Sequence, residues 1–518
     1  MTIDRYLRTF LGLWSAVFAA YGAAAQAQDS MLRGEIQCSA TVAGAPGYSQ
    51  SLSLRMDGSY ATGSAESTDI LENQELLIDR DGRVHYNAIG IWKNHPQRRW
   101  RIHATGQVNG ASIQASGSMY GDRAQDLIRH KCDIRLESMA AITWPSGQDA
   151  SFKIEILGDV LGVSPSSLQG GAVLREWGLE RGMPWSYRVV PTAKGREITA
   201  REPVASERLL IQDARDLLVQ TRAKVIVFID AGQVVAALAR PGIAAHTLLP
   251  SASMSKTVTA LGVGKAICAG QLNLTDTAQS LLPELKGTDL GQATLREILL
   301  MSSRSSETEI QHTHGINYQE TRDNLWHPDR SVRDLVALPR IARARYATPF
   351  FDYKSTDPYL AALMTQQATG LLFTRWLTEK IFSEARIGDV YALDTDRQGN
   401  FLATGGVRLS LSDWIRLAVY IQEQRDQASC FGQFIRDLSR TQITIPKIQG
   451  VNGYFTGYGF LTWTANDMVR STAWAVGAYG QRIGWSTKER NTRVFLTFGD
   501  GSDPEMNKVY PLADRWIN

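Results

Sequence analysis

Polar and apolar residues alternate along the N-terminal part of the chain, in short stretches separated by turn residues. Ser51–Met56 is one such stretch, and Asp81-Gly82 separates two others in the way typical of a β-hairpin. Alternation with a period of two indicates strands that bury one face only. We therefore predict a small antiparallel β-domain over residues 28–139, and nothing in its pattern indicates catalysis.

In the C-terminal part of the chain the pattern combines helical and strand periods. A helical period over Leu209–Arg222 leads into two apolar stretches, Lys224–Ile229 and Val234–Leu238, which a short glycine-containing turn joins. Helices and strands then follow without a repeating βαβ period. This pattern predicts an α+β domain with an antiparallel sheet over residues 207–518. Residues 140–206, which carry several turn signals, are predicted to connect the two domains.

The first residues have the three-part pattern of a secretory signal peptide. Basic residues precede the apolar run Phe10–Tyr21, and small residues follow as far as Ala27. An uncleaved membrane anchor is the alternative, but the run is shorter than the ~20 residues that a spanning helix needs. We predict that residues 1–27 are removed before Gln28 and that the mature chain is soluble, in the periplasm or outside the cell.

Composition narrows the range of partners. The formal net charge is +3 over 518 residues, and lysine and arginine are spread along the chain without a long basic run. This distribution argues against a nucleic-acid partner. No later segment is apolar over a length that spans a bilayer, so we expect no stable membrane insertion. The sequence leaves the oligomeric state open.

The four cysteines allow one pairing to be predicted. Cys38 and Cys132 bracket the predicted β-domain, and in an oxidising compartment they are expected to form a disulfide. Cys268 lies in an apolar helical run and is expected to be a buried free thiol. Cys430 has no evident partner in the sequence.

One tetrapeptide, Ser253-Met254-Ser255-Lys256, carries the strongest indication of chemistry. Its first serine and its lysine are three residues apart and share one face of a helix. A serine hydroxyl becomes a nucleophile when a base takes its proton, and a lysine amine can be that base once its pKa is lowered. The alternative is a serine at the start of a helix followed by an exposed lysine, because Ser-x-x-Lys occurs about once by chance in a chain of this length.

The surroundings of this tetrapeptide resemble a family, the serine hydrolases related to class C β-lactamases and penicillin-binding proteins. Gly270–Asp276 is similar to the family's Gly-x-Leu-x-Leu-x-Asp stretch, and Leu295–Ser303 is similar to its helix with a Ser/Thr-rich turn. Arg304 stands where the family usually has glycine. The resemblance runs from about residue 207 to the C-terminus. It implies a β-lactamase-like fold, an antiparallel sheet flanked by helices, with the motif serine as nucleophile and the motif lysine as its base.

The family's second motif, Tyr-x-Asn, has a counterpart just before a predicted helix. Here Tyr353 stands at the tyrosine and Ser355 at the asparagine. Tyr-x-Ser resembles the branch that includes 6-aminohexanoate-dimer hydrolases and related esterases. The resemblance implies that Tyr353 transfers a proton and that Ser355 contacts the substrate. The alternative for Tyr353 is an aromatic core residue beside Phe350 and Phe351.

The third family motif, Lys-Thr-Gly or His-x-Gly, is replaced here by Ala478-Tyr479-Gly480, followed by Gln481. The hydrolase branch often carries Gly-Gln at this point. The resemblance implies that Tyr479 and Gly480 lie against the substrate, where a glycine lets the backbone approach closely. It also implies that the Gln481 and Ser253 N–H groups form the oxyanion hole.

Ala478 removes the basic side chain with which the family grips the carboxylate of β-lactams and peptides. Arg482 could replace it, although an exposed arginine at a turn is the commoner situation. The departure favours other substrates over β-lactams. An ester or a linear amide is the expected substrate class.

No metal or organic cofactor is predicted. His312-Thr313-His314 has no third ligand at useful spacing, and the acidic residues Asp394 and Asp396 with Gly399 lack the spacing and terminal Glu of a calcium loop. The histidine pattern is interpreted as a loop.

Together the patterns predict a secreted serine hydrolase that cleaves a small-molecule ester or linear amide through an acyl-enzyme on Ser253, with Lys256 and Tyr353 transferring protons. The alternative is a protein of the same fold that binds peptidoglycan fragments or a partner protein without turnover. Such a protein would explain the altered third motif and the added β-domain.

Overall fold

The structure of the chain is a computed structural model. It describes residues 31–40, 48–57, 60–63, 71–78, 82–92, 95–121, 130–139, 141–142, 152–157, 185–189, 191, 194–241, 243–303, 305, 331–339, 341–342, 348–396, 398–445 and 454–518. The predicted signal peptide, Arg304, His312 and His314 lie outside the described residues. The described residues divide into two compact units, one made of those from 31 to 142 and the other of those from 152 to 518.

The first unit is a closed antiparallel barrel of eight strands. Each strand pairs with the next in sequence, and the last pairs with the first. The strands are β1 (Met31–Ala40), β2 (Tyr48–Asp57), β3 (Tyr60–Gly63), β4 (Leu71–Ile78), β5 (Arg83–Trp92), β6 (His95–Asn109), β7 (Ser112–Gly121) and β8 (His130–Glu137). Every second residue of β8 is buried, which is the alternation that the sequence shows.

Apolar side chains fill the barrel, as is typical of eight strands. Trp100 and Tyr86 are among the largest of them, and the Tyr86 hydroxyl donates to the Gln74 side chain at 3.1 Å. Closure places Cys38 directly opposite Cys132 in the register of β1 and β8, and the two form a disulfide.

The second unit contains two sheets. The smaller has the order β10-β14-β15-β13, and the larger has the order β16-β17-β18-β19-β20-β21-β11-β12-β9. Their strands are β9 (Ile154–Ile156), β10 (Trp185–Val189), β11 (Ala223–Asp230), β12 (Gln233–Ala239), β13 (Leu248–Pro250), β14 (Tyr391–Thr395), β15 (Val407–Ser410), β16 (Ile443–Thr444), β17 (Phe455–Tyr458), β18 (Trp463–Asn466), β19 (Thr472–Gly477), β20 (Gln481–Ser486) and β21 (Val494–Gly499). The pairing is antiparallel except between β12 and β9. Two strands of the predicted connecting region, β9 and β10, thus belong to these sheets.

Eleven helices of α type accompany these sheets in the described residues. They are α1 (Ala205–Gln220), α2 (Met254–Cys268), α3 (Ala278–Leu281), α4 (Leu295–Leu299), α5 (Val332–Val336), α6 (Thr356–Thr369), α7 (Phe373–Leu377), α8 (Leu411–Arg425), α9 (Cys430–Leu438), α10 (Asp503–Met506) and α11 (Tyr510–Ile517). In the part of the chain that the structure describes, no helix has both the length and the apolar character required to cross a membrane.

Helix α2 is the central helix of the second unit, in contact with α6, α9 and β19. Nearly all of it is buried, including the polar residues of its first two turns. A Cβ on Gly264 would lie 2.4 Å from a ring carbon of Phe434 in α9, so the two helices can approach only because this residue is glycine.

The end of α2 is joined to the start of α9 by a disulfide between Cys268 and Cys430. The expectation that Cys268 is a free thiol was therefore wrong. The two residues are 162 positions apart in sequence, and only the packing of α9 on α2 brings them together.

Candidate active site

Ser253 and Lys256 lie in hydrogen-bond contact at the start of α2. Lys256 is 2% exposed, and its Nζ donates to Ser253 Oγ at 3.0 Å. Ala252, just before the serine, has a φ of 43°, in the left-handed region that residues with a Cβ seldom adopt. Backbone strain of this kind is concentrated at functional sites, where the surrounding structure enforces it.

The second serine of the tetrapeptide has a different environment. Ser255 is fully buried, and its Oγ lies 2.7 Å from that of Ser251. Both hydroxyls accept the N–H of Val407 in β15, and the Ser251 N–H donates to the Val407 carbonyl at 2.8 Å. These bonds fix the start of α2 to β15, so Ser255 has a structural role, whereas Ser253 is only partly buried and its hydroxyl contacts Lys256.

Tyr353 lies beside Lys256. The lysine Nζ is 4.4 Å from the centroid of the tyrosine ring, and this ring also contacts Trp463, with centroids 5.1 Å apart. Tyr353 is 5% exposed. It is thus both packed among aromatic residues, as the alternative interpretation held, and in contact with the candidate base. The structure brings Ser253, Lys256 and Tyr353 together.

Ser355 is buried immediately before α6. Lys354, which separates it from Tyr353, is also buried and contacts the turn after α4 through Ser303. The sequence does not distinguish this lysine, since a lysine beside a motif residue is usually exposed.

The end of β19 contacts the residues before Ser253, the candidate nucleophile. A Cβ on Gly477 would lie 2.4 Å from the Ser251 carbonyl oxygen and 3.0 Å from the Ala252 Cβ. This contact requires glycine, and it identifies Gly477 as the backbone element adjoining the nucleophile segment. Gly477 is not among the residues predicted from the sequence. Its only sequence signal is a glycine that ends an apolar stretch, and that signal is weak.

The turn that follows β19 is strained. Tyr479 has a φ of 63° and Gly480 a φ of 101°. The Tyr479 N–H donates to the Asp503 carboxylate at 3.3 Å, and burial raises the pKa of that carboxyl. Gly480 lies against Met506, where a Cβ would be 2.4 Å from the methionine methyl carbon. The region around α10 therefore supports the turn.

Gln481 lies opposite Gly477 at the start of β20. Its side chain is buried, donates to the Ala478 carbonyl at 2.8 Å and accepts the Gly499 N–H at 3.1 Å. The carboxamide therefore closes the turn. Any contact of Gln481 with a substrate would involve its backbone.

Arg482 fits neither of the two interpretations drawn from the sequence. It is fully buried, neither an exposed turn residue nor a cation presented to substrate. Its guanidinium donates to the Tyr510 hydroxyl at 3.1 Å, to the Asn507 side chain at 2.8 Å and to the Met506 carbonyl at 3.3 Å. The sequence pattern could not show this, because these partners are more than 20 residues away in sequence.

The acidic residues once considered as a calcium loop have other partners. Asp394 forms a buried ion pair with Arg408. Asp396 accepts N–H groups from Val332, Gln398 and Asn400, and burial raises its pKa. Across the described ranges, no cluster of three or more potential metal ligands occurs.

Lys256 is buried and bonded to the Ser253 hydroxyl at the start of a helix that packs on an antiparallel sheet. This arrangement defines a serine hydrolase of the β-lactamase type. The β-lactamase family model matches residues 215–514, more than half of the chain. The chain therefore belongs to the β-lactamase family of serine hydrolases. A search of curated protein sequences finds no significant match.

Solved structures with a similar fold come from several bacteria. A Bacillus anthracis protein named as a 6-aminohexanoate-dimer hydrolase is 16% identical, with a TM-score of 0.51, over 68% of this chain and 93% of its own. A penicillin-binding protein from Bacillus halodurans is 13% identical, with a TM-score of 0.45, over 58% and 98%. A β-lactamase/D-alanine carboxypeptidase from Pseudomonas syringae is 13% identical, with a TM-score of 0.43, over 61% and 99%. At 16% identity, the likeness to the first of these shows the fold alone.

Proposed function

We propose that this chain hydrolyses an ester or a linear amide of a small molecule through an acyl-enzyme on Ser253. The observation that carries the proposal is the 3.0 Å contact between Lys256 Nζ and Ser253 Oγ, made by a lysine that is buried and also touches the Tyr353 ring. A role in binding alone would require none of these three groups.

Lys256 is the base in this mechanism. Burial penalises a charged amine, which favours the neutral form that can accept the Ser253 proton. Once the proton has moved, the ammonium lies over the face of the Tyr353 ring, where a cation is stabilised. Tyr353 then helps to pass the proton to the leaving group, and water cleaves the acyl-enzyme.

The oxyanion forms between two backbone N–H groups. One is that of Ser253, and the other belongs to the hairpin from Gly477 to Gln481, because this hairpin adjoins the backbone before the nucleophile. Within the hairpin, the Tyr479 N–H is bonded to Asp503. We assign the second donor to the Gln481 N–H, the position that the resemblance implies.

The proposed substrate class follows from the absence of a basic side chain at the third motif. Ala478 has no group that binds a carboxylate, and the Arg482 guanidinium is bonded to the segment Met506–Tyr510. A β-lactam brings a carboxylate that would have neither partner. Esters and linear amides without such a carboxylate are therefore the better substrates.

Activity against a panel of chromogenic esters, amino-acid amides and linear amide oligomers tests the proposal. We expect at least one ester or amide to be hydrolysed by the wild type and none by Ser253→Ala at a comparable rate. Hydrolysis retained in Ser253→Ala would contradict the proposed nucleophile. An inactive wild type across the panel would favour the alternative, binding without turnover.

We also propose that the chain is exported, on the pattern of residues 1–27. The expected outcome of N-terminal sequencing after expression in a Gram-negative host is a periplasmic or extracellular protein that begins at Gln28. A cytoplasmic protein that retains Met1 would contradict this part of the proposal.

A further inference from the structure

The segment that carries Tyr353 is anchored by a buried polar cluster. Lys354 is 0% exposed, and its Nζ donates to the Ser303 carbonyl at 3.1 Å and lies 3.5 Å from the Ser303 Oγ. Asp357, also fully buried, accepts the Ser303 hydroxyl and, at 3.3 Å, its N–H. Ser303 thus contacts both a buried cation and a buried carboxyl, and we call these three residues the Lys354 cluster.

The cluster connects two segments that are distant in sequence. Ser303 lies in the turn after α4, and Asp357 lies in the first turn of α6. A backbone bond strengthens the connection, since the Asp352 N–H donates to the Met301 carbonyl at 2.8 Å. Met301 has a φ of 53°, so the turn holds a strained backbone at the point where the two segments meet.

Stability alone is a weak explanation for the cluster. A buried ion pair is often no more stabilising than apolar residues of similar volume. Burial raises the pKa of Asp357 to about 6, and Lys354 and Ser303 lower it only in part. The charged groups on this carboxyl come from its own segment, where Lys354 attracts the carboxylate and Asp352 repels it.

The position of Lys354 in the sequence connects the cluster to the candidate active site. This residue directly follows Tyr353 and directly precedes Ser355, so fixing Lys354 restricts both neighbours. We propose that the Lys354 cluster positions Tyr353 against Lys256. Lys354, Ser303 and Asp357 are positioning residues, and the inference rests on the proposed function.

A second buried cluster provides a matched control. Arg416 donates to Asp413 at 2.6 Å and to the Arg196 carbonyl at 2.8 Å, and burial with the nearby Asp389 charge raises the pKa of Asp413 to about 6. It too pairs a buried cation with a buried acid, and these bonds involve none of the motif residues. Lys354→Met and Arg416→Met therefore remove comparable groups at two places.

The test compares kcat and KM for a p-nitrophenyl ester, with active sites titrated by a fluorophosphonate probe. Lys354→Met should lower kcat per titrated site roughly 10–100-fold, because small displacements of a catalytic group have effects of this size. KM should change by less than about threefold. Arg416→Met should lower the thermal midpoint and leave kcat per site unchanged. If Lys354→Met does not fold, Ser303→Ala should give the same selective loss of kcat.

Wild-type kcat per site in Lys354→Met, or in Ser303→Ala where that variant replaces it, would overturn the inference alone. An equal loss of kcat per site in Arg416→Met would also overturn it, since the effect would then belong to any buried cluster. A wild-type protein that the probe does not label would overturn the proposed function and this inference together.

Discussion

The barrel and the hydrolase unit bury different kinds of side chain. The buried residues described in the barrel are almost all apolar, with Gln74 and His130 as the polar exceptions. The hydrolase unit buries Lys256, Lys354 and Arg482 together with several carboxylates. Burying a charge is costly unless it is paired or hydrogen-bonded, and one of these buried cations, Lys256, contacts the candidate nucleophile. The comparison locates the chemistry in the second unit and leaves the barrel as an apolar fold closed by a disulfide.

Removing the buried amine of the site should have the largest effect. Lys256→Met keeps most of the length of the side chain and removes the amine that contacts Ser253. We expect kcat/KM for the best ester to fall by about 10²–10⁴-fold, the usual contribution of a general base. Steady-state kinetics measure this, and thermal unfolding verifies that the variant folds. A loss below threefold in a folded variant would show that Lys256 is not the base.

Breaking the barrel disulfide should affect stability and not catalysis. Replacing Cys38 and Cys132 by alanine removes a crosslink that spans 94 positions, which typically costs about 2–5 kcal/mol of unfolding free energy. Denaturant unfolding should show the loss, and kcat should remain at its wild-type value, because no candidate catalytic residue lies in this unit. A large fall in kcat per titrated site would mean that the two units are not functionally separable.

Mass mapping without reduction examines the pairing itself. We expect two crosslinked peptide pairs, one holding Cys38 with Cys132 and the other Cys268 with Cys430. A free thiol at any of the four after periplasmic expression would contradict this arrangement.

The uncompensated carboxylate of a β-lactam should lower its turnover. The loss of a charge-assisted hydrogen bond costs roughly 1.5–3 kcal/mol, or about one to two powers of ten in rate. Parallel assays measure the ratio of nitrocefin turnover to ester turnover. Ala478→Lys should raise this ratio, because it restores a cation at the third motif. Nitrocefin hydrolysis faster than that of every ester and amide tested would contradict the assignment.

The smallest effect concerns pH and the buried acid beside the site. Burial raises the pKa of Asp357 from 3.8 to about 6, so between these values the folded chain retains a proton that the unfolded chain has lost. Its contribution to stability is therefore present below pH 4 and is lost as the pH rises through 6. The free energy of unfolding of the wild type, relative to Asp357→Asn, should fall across this window by at most about 1.4 kcal/mol per pH unit. A difference in unfolding free energy that rises or stays constant as the pH increases would contradict the raised pKa of Asp357.

The parts of the fold that sequence could predict are those set by local patterns. Alternation along the chain predicted a β-domain, and Ser-x-x-Lys with its flanking motifs predicted the β-lactamase-like domain, which the family match confirms. Closure of the barrel and the pairing of Cys268 with Cys430 depend on contacts between distant residues. Local patterns carry no record of such contacts.

The same limit applies within the site. Gly477 touches the nucleophile segment across the sheet, and Arg482 is buried by a helix that follows it in sequence. Neither contact leaves a periodic or motif signal. Lys354 has a sequence position beside Tyr353, but only its burial against Ser303 distinguishes it from an ordinary surface lysine.

Covalent labelling tests the central claim most directly. After reaction with a fluorophosphonate probe, digestion and peptide mass mapping should place one adduct on Ser253, and Ser253→Ala should carry none. Ser255→Ala is the matched control, because Ser255 lies two residues away with its hydroxyl bonded to Ser251 and Val407, and it should still be labelled. An adduct on any other residue, or labelling that persists in Ser253→Ala, would contradict the assignment of Ser253 as the nucleophile.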